Sequence, residues 1–307
     1  MANHLDAQKI APLCLNHPKY YFMQLAATEH RIDLVQKWSV YKGAHVLELG
    51  CGQGETTAVL AAAVGPTGHV TAVDPAPPTY VGSHPCLGAL SNDHFCSYLG
   101  SPFTVMQTRA FLSDGILGAQ ITWHTSDVAA YLANDETQYD FAVFSHCLWC
   151  FRTFEDITSI FGVLKARGIR RICIAEWSLS SPNIESQTHI LAALTMAVLS
   201  NCEEAPERNV RMIISPHGIK ELAKEIGLSL ESEPFIDTRG KGPLDGTWEV
   251  NTILRSSFTD RIDEFSRNAR ERSLILALRD ATVASHAQHK GAIESMDVWC
   301  AAFSSET

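Results

Sequence analysis

The sequence predicts an α/β fold: a parallel sheet with helices on both faces, in a single domain of 307 residues. Three observations predict it. Short apolar runs that suit buried strands alternate with helical segments from residue 40 to residue 180, the pattern of a sheet covered on both sides. A glycine-rich turn joins the first of these runs directly to a helix. No linker, internal repeat or low-complexity tract divides the chain, and 46% apolar with 19% charged residues is an ordinary globular composition.

Taken in order, residues 17–39 place Tyr20, Tyr21, Leu25, Ile32 and Val35 at helical spacing and predict one or two helices. HVLELG (45–50) is a buried strand ending in a glycine turn, and TTAVLAAAVG (56–65) is a helix closed by Gly65. GHVTAVDP (68–75) is a second strand with a proline stop. Residues 75–101, rich in Pro, Gly, Ser and His, read as an irregular excursion. SPFTVMQTRAFLSDG (101–115) is a helix with a proline near its start and glycine at its stop. AQITWHTSD (119–127) is a third strand and DVAAYLAN (127–134) a short helix. YDFAVFSH (139–146), FEDITSIFGVLKARG (154–168) and IRRICIAEWSL (169–179) add a strand, an amphipathic helix and a fifth strand.

The last 130 or so residues are less regular. Residues 182–201 read as an inserted helix, 216–228 as a helix stopped by Gly227, LSLESEPFI (228–236) as a strand, 247–286 as largely helical and MDVWCAAFS (296–304) as a closing β-run.

Charge and composition narrow the function. The net charge is −10 and no run of lysine or arginine interrupts it, so the basic footprint of a phosphate-backbone binder is missing. The start MANHLDAQKI lacks the layout of a secretory signal, and no apolar run approaches the length of a membrane span. The nine cysteines are scattered, most of them in apolar strand-like segments. They read as reduced thiols of a cytoplasmic protein.

The informative segment is VLELGCGQGETTAVL, Val46 to Leu60. Glycines at alternate positions (Gly50, Gly52, Gly54) let the backbone turn sharply and approach a ligand, and the open start of the following helix presents unpaired N–H groups. A dinucleotide turn is spaced G-x-G-x-x-G and receives a pyrophosphate. Here the spacing is G-x-G-x-G with Glu48 beside it, a carboxylate that would repel a pyrophosphate and suit an ammonium or a sulfonium. Twenty residues beyond Gly54, Asp74 ends the second strand, where a carboxylate can accept from both hydroxyls of a ribose. Asp127 follows the third strand. It can accept from an adenine amine, cap the next helix, or do both.

ELGCGQG, the VD of AVDP and HTSD together resemble the class I S-adenosylmethionine-dependent methyltransferases over residues 40 to 180. FSHCLWCF, AEWSL and DGTWEV bring the chain nearest to small-molecule methyltransferases of the ubiquinone-biosynthesis type, uncharacterised fungal ones among them. The resemblance implies a Rossmann-like, mostly parallel sheet of seven strands, the last antiparallel, with helical lid insertions. It implies S-adenosylmethionine as cofactor: Gly50, Cys51, Gly52 and Gly54 beneath its methionine part, Glu48 near its amino group, Asp74 and Pro75 at the ribose, Ser126, Asp127 and Val128 at the adenine, and Ser145 supplying a backbone carbonyl. The expected division is 1–40 N-terminal helices, 41–180 cofactor core, and 181–213 with 237–293 as a substrate lid. The excursion after Asp74 is long for this family.

FSHCLWCF (144–151) holds Cys147 and Cys150 at C-x-x-C spacing. A redox pair of that kind opens a helix in a different fold, and a structural zinc site needs further ligands. Ligands of open α/β sheets lie at the carboxyl ends of the strands, so the segment reads as pocket wall. There His146 is either a general base or a satisfied strand-end histidine. Glu176 is a second base, an ammonium binder or neither. Trp149 and Trp177 border the substrate, and Tyr20 and Tyr21 lie on a stripe that is either core or pocket. Trp248 and Glu249 belong to a lid or to plain packing.

The expected reaction is methyl transfer to a small organic acceptor, in secondary metabolism, with neither a nucleic acid nor a membrane as partner. The N/D-P-P-Y/F signature resembling enzymes that methylate base amines is absent. Two rival readings are a methyltransferase-fold binding subunit without catalysis and an enzyme of this fold that uses the cofactor without transferring methyl.

Overall fold

The computed structural model of the chain describes residues 5–81, 103–204, 210–241, 245–290 and 293–305. Its elements in order are α1 (Ala7–Ile10), α2 (Tyr21–Lys37), β1 (His45–Leu49), α3 (Glu55–Val64), β2 (His69–Asp74), α4 (Val105–Asp114), β3 (Ile121–Thr125), α5 (Val128–Asn134), β4 (Phe141–Ser145), α6 (Phe154–Ala166), β5 (Arg171–Trp177), α7 (Gln187–Ser200), α8 (Pro216–Glu225), β6 (Leu228–Ser232), β7 (Phe235–Ile236), α9 (Asp245–Leu254), α10 (Ser256–Phe265), α11 (Ala269–Gln288) and β8 (Val298–Ser305). The sheet order is β3-β2-β1-β4-β5-β8-β6, with β7 beside β8. Strands β1 to β5 pair in parallel, and β8 runs antiparallel to β5, β6 and β7.

The central strands are apolar without alternation because both faces are covered: Val46 to Leu49 are all buried, as are Phe141 to Phe144 and Ile172 to Trp177. Helix starts are fixed by side-chain caps. Thr153 and Asp156 form a capping box for α6, Thr104 and Gln107 do so for α4, and Asn268 caps α11. Trp38, Phe144, Phe161, Trp299 and Phe303 are among the largest side chains of the core.

Register decides where chemistry can occur. Leu49 pairs with Val73 on one side and with Phe144 on the other, and Ser145 pairs with Ala175. The residues just past these positions (Gly50, Asp74, His146 and Glu176) therefore share the carboxyl edge of the sheet. The order reverses between β1 and β4, which makes that edge a topological switch point.

Two details differ from the sequence reading. LSLESEPFI is two strands, because the register on β8 shifts between Leu230 and Ser232 and Pro234, which has no N–H to donate, separates β6 from β7. This adds an eighth strand to the expected seven. The helical run 247–286 is three helices, interrupted at Arg255 and at Ser266 to Asn268. Of the excursion, residues 82–101 lie outside the described residues. Its start packs on α4, where Val105 and Met106 donate backbone N–H groups to Tyr80 and Pro78.

α7, α9 and α11 pack together as a layer. His189 bonds Glu249 at 2.5 Å, and the hydroxyls of Thr188 and Ser285 meet at 2.7 Å. Among the described residues no helix is long and apolar enough to cross a membrane.

Candidate active site

The glycine turn adopts the conformations that its composition permits. Gly50 and Gly52 have φ of +77° and +52°, in the left-handed region that other residues avoid. At Gly50 a side chain would also strike the β-carbon of Cys147 at 2.7 Å, whereas at Gly52 the same direction meets no atom within 4 Å. The turn is thus packed hard on the β4 side and open at Gly52. Cys147 is itself fixed, its thiol donating to the Leu49 carbonyl at 3.1 Å.

Asp74 accepts from Gly52 N at 2.9 Å and from Ala76 N at 2.7 Å, so its half-buried carboxylate ties the end of β2 to the turn. Pro75 beside it is exposed. Across the turn Arg109 donates to the Gly52 carbonyl at 2.9 and 3.1 Å and stacks over Trp123 at 5.3 Å. Asp127 caps α5 through one oxygen, which takes Ala129 N and Ala130 N at 2.9 and 3.1 Å. Its other oxygen makes no hydrogen bond among the described residues, so capping leaves an acceptor over. Ser126 is half-buried beside it and Val128 is buried behind.

Glu48 points from β1 into the interface with α3, where it accepts from Thr57 Oγ1 at 2.6 Å. Burial lifts its pKa to about 8 against that bond and the pull of Arg31, so at neutral pH it is largely protonated. Ser145 accepts from Thr56 at 3.1 Å and ends β4 on the same edge.

Past the end of β4, His146 has φ of +53°, rare for a side-chain-bearing residue and commonest for histidine, asparagine and aspartate. The turn aims its ring at α2, where His30 Nε2 meets His146 Nε2 at 2.9 Å. Burial, then Arg31 and His189, lowers the pKa of His146 to about 3. Burial, then His146, Arg31 and Lys241, drives that of His30 well below its usual value. Both rings are neutral at pH 7, so one Nε2 carries the shared proton and the other accepts it. Neither Nδ1 has a hydrogen-bond partner among the described residues, and His146 Nδ1 lies 3.9 Å from Glu176 Oε1. Trp177 packs between His146 and His189, at ring distances of 4.7 and 4.9 Å.

Glu176 is buried and spends its oxygens on Leu148 N and Trp177 N, each at 3.0 Å, holding the turn that follows β4. Burial raises its pKa to about 8 despite these bonds. Trp149 is also buried, its indole donating to the Ile214 carbonyl at 3.1 Å. The Tyr20 ring lies 5.5 Å from that of His17, and Tyr21 opens α2, half-buried.

Gly50, Gly52, Asp74, Ser145, His146, Glu176 and Trp177 thus share one edge of the sheet. His30, Arg31 and Arg109 join them without having been read from sequence. The signal for the first two was faint, an ionisable pair on a helix that also buries Gln24 and Thr28. For Arg109 there was none, because it reaches the turn from α4, beyond the excursion.

A family model for protein-L-isoaspartate(D-aspartate) O-methyltransferase matches residues 22–120, a span that holds nearly all of α2, the glycine turn and Asp74 but not His146 or Glu176. Two curated relatives, methyltransferase phomM' and methyltransferase phomM of Diaporthe leptostromiformis, are each 25% identical over 305 residues, covering 85% of this chain and 73% of theirs. Among solved structures, a cyclopropane-fatty-acyl-phospholipid synthase-like protein from Lactobacillus casei ATCC 334 superposes with a TM-score of 0.79 at 23% identity, covering 97% of this chain and 98% of that one. The chain thus has the Rossmann-like fold of the class I S-adenosylmethionine-dependent methyltransferases.

Proposed function

We propose that the chain transfers the methyl group of S-adenosylmethionine to a small organic acceptor, and we place it in secondary metabolism on its likeness to fungal methyltransferases. The observation that carries the reading is the turn itself: left-handed glycines open at Gly52 and tied to the strand-end carboxylate Asp74. The residues present fit the cofactor. Gly50 to Gly54 would pass beneath the methionine part, Asp74 would take the ribose hydroxyls, and Asp127 has an oxygen left for the adenine amine. The cofactor supplies an electrophilic methyl on a sulfonium.

What remains for the protein is to hold the acceptor in line and to accept its proton. Orientation can contribute roughly 7–11 kcal/mol in well-placed reactions. The proton leaving the acceptor's nucleophile would meet the His30–His146 pair. A lone imidazole with so low a proton affinity is a weak base. Here Glu176 stands 3.9 Å from His146, and since burial raises its pKa to about 8, its ionised form, the minor one at neutral pH, would be what takes the proton from the pair. The layer of α7, α9 and α11 would serve as the lid that excludes water. Because the two imidazoles are neutral, the wall suits an acceptor that enters uncharged and protic, such as a hydroxyl.

The test is mass spectrometry on a panel of phenols, alcohols and amines incubated with methyl-deuterated S-adenosylmethionine. A product gaining the labelled methyl in step with S-adenosylhomocysteine supports the proposal. Conversion of an acceptor with the cofactor unconsumed would instead mark an enzyme that uses the cofactor without transferring methyl.

A further inference from the structure

His30 and His146 meet through one nitrogen each, and that contact limits the pair to two proton arrangements. The two Nε2 atoms lie 2.9 Å apart. Both rings are neutral at pH 7, and a neutral imidazole carries a single N–H. One Nε2 therefore donates and the other accepts. The ring that accepts must carry its hydrogen on Nδ1, and the ring that donates has a bare Nδ1. Of the two outer nitrogens, one bears a hydrogen and the other is bare.

Those outer nitrogens face different surroundings. His146 Nδ1 lies 3.9 Å from Glu176 Oε1. Glu176 is fixed there, because Oε1 accepts from Trp177 N and Oε2 from Leu148 N, each at 3.0 Å. His30 Nδ1 is buried with no partner among the described residues, on a residue only 2% exposed. An ionised Glu176 favours a hydrogen on His146 Nδ1, which leaves His30 Nδ1 bare. A protonated Glu176 can donate to a bare His146 Nδ1, which puts the hydrogen on His30 Nδ1 instead. The charge on Glu176 is thus read at the far ring.

We propose that His30, His146 and Glu176 form a directed proton wire, in which His30 Nδ1 takes the proton of the acceptor's hydroxyl and Glu176 stores it. The assignment rests on the methyl-transfer reading given above. With Glu176 at one end, His30 Nδ1 is the nitrogen of the pair left for a bound molecule. The step balances. The acceptor oxygen bonds the methyl carbon, and the electron pair of the broken carbon–sulfur bond stays on sulfur. The hydroxyl proton goes to His30 Nδ1, the His30 Nε2 hydrogen to His146 Nε2, and the His146 Nδ1 hydrogen to Glu176. Once the product has left, the proton returns by the same route and leaves from His30 Nδ1 to water.

Neither ring has to keep a net charge, which suits imidazoles of such low proton affinity. Burial is the main cause of all three shifts. After it, His146, Arg31 and Lys241 act on His30, Arg31 and His189 on His146, and backbone N–H groups and Glu249 on Glu176.

The experiment is nitrogen-15 NMR of the imidazole rings in the ligand-free full chain, which tells a bare nitrogen from one bearing hydrogen. Wild type and Glu176→Gln are compared below and above pH 8, the value to which the Glu176 pKa is raised. His30→Gln and His146→Asn assign the signals. In wild type, His30 Nδ1 should bear hydrogen below that pH and be bare above it, and His146 Nδ1 should do the reverse. Glu48 titrates over the same range, so the exchange must vanish in Glu176→Gln. An exchange that survives there overturns the wire, and so does a wild-type pair whose hydrogens stay put across the range.

The second measurement uses an acceptor identified with the labelled cofactor. His30→Gln should lower kcat on a hydroxyl acceptor by about 10²–10⁴-fold with KM little changed, and should stay within about threefold of wild type on an acidic phenol that enters already ionised. Equal losses on both acceptors would make His30 a structural residue and overturn the assignment. If no acceptor gains the methyl, the methyl-transfer reading fails and takes the role of His30 with it, while the exchange between the rings still reports on the wire by itself.

Discussion

Replacing Gly50 and Gly52 by alanine, one at a time, should separate stability from cofactor binding. Both residues are left-handed, so each alanine costs about 1–2 kcal/mol of backbone strain. At Gly50 the new methyl would also lie 2.7 Å from the β-carbon and 2.9 Å from the sulfur of Cys147. Cys147 cannot step aside cheaply, since it is buried and its thiol is bonded to Leu49. Overpacking of this kind costs about 1–3 kcal/mol, for a total of about 2–5 kcal/mol. At Gly52 no atom lies within 4 Å, so only the strain remains, but the methyl would enter the space assigned to the cofactor. Gly50→Ala should therefore shift the urea midpoint well below that of Gly52→Ala. Gly52→Ala, still folded, should bind S-adenosylhomocysteine at least about tenfold more weakly than wild type. Equal destabilisation by the two changes, or unaltered binding by Gly52→Ala, would refute the reasoning.

Burial should also write itself into the pH dependence of stability. Glu48 and Glu176, raised from 4.5 to about 8, contribute fully below pH 4.5 and lose that contribution as pH rises to about 8. His146, lowered from 6.5 to about 3, and His30, lowered with it, contribute above pH 6.5 and lose that as pH falls. The two slopes oppose each other between 4.5 and 6.5, so the melting temperature should be flat there and fall on both sides. Thermal melts should show Glu48→Gln flattening the alkaline limb and His146→Asn the acid limb. Thr57→Val leaves the buried Glu48 without its hydroxyl donor and should cost about 1–3 kcal/mol in urea titrations. Trp149→Phe removes the indole bond to Ile214 and should cost about 1–2 kcal/mol by the same measurement.

The parallel core was legible because its strands are covered on both faces. HVLELG and DFAVFS place apolar residues at adjacent positions, without the alternation of a strand buried on one face. The edge with the glycine turn was legible because that turn and the acids at strand ends obey a local spacing. The surroundings of His146 and Glu176 were not. Glu176 looks like a free strand-end acid in AEWSL, and its bonds to Leu148 and its own strand end appear only once β4 and β5 are paired. His146 could be proposed but not its partner, because His30 comes from α2, 116 residues away. Arg109 shows the same limit: it earns its place through its bonds to Gly52, 57 residues away. LSLESEPFI reads as one strand because the register shift lies in its partner's pairing as much as in its own residues.

The central claim is that the edge formed by Gly50 to Gly54 and Asp74 binds S-adenosylmethionine. Calorimetric titration of S-adenosylhomocysteine into wild type and Asp74→Asn tests it most directly. Asparagine offers one acceptor oxygen where Asp74 uses two, on Gly52 and Ala76. The account predicts one site with a dissociation constant on the order of micromolar, weakened about 10- to 100-fold in the variant. A folded wild-type protein that takes up no S-adenosylhomocysteine would contradict it.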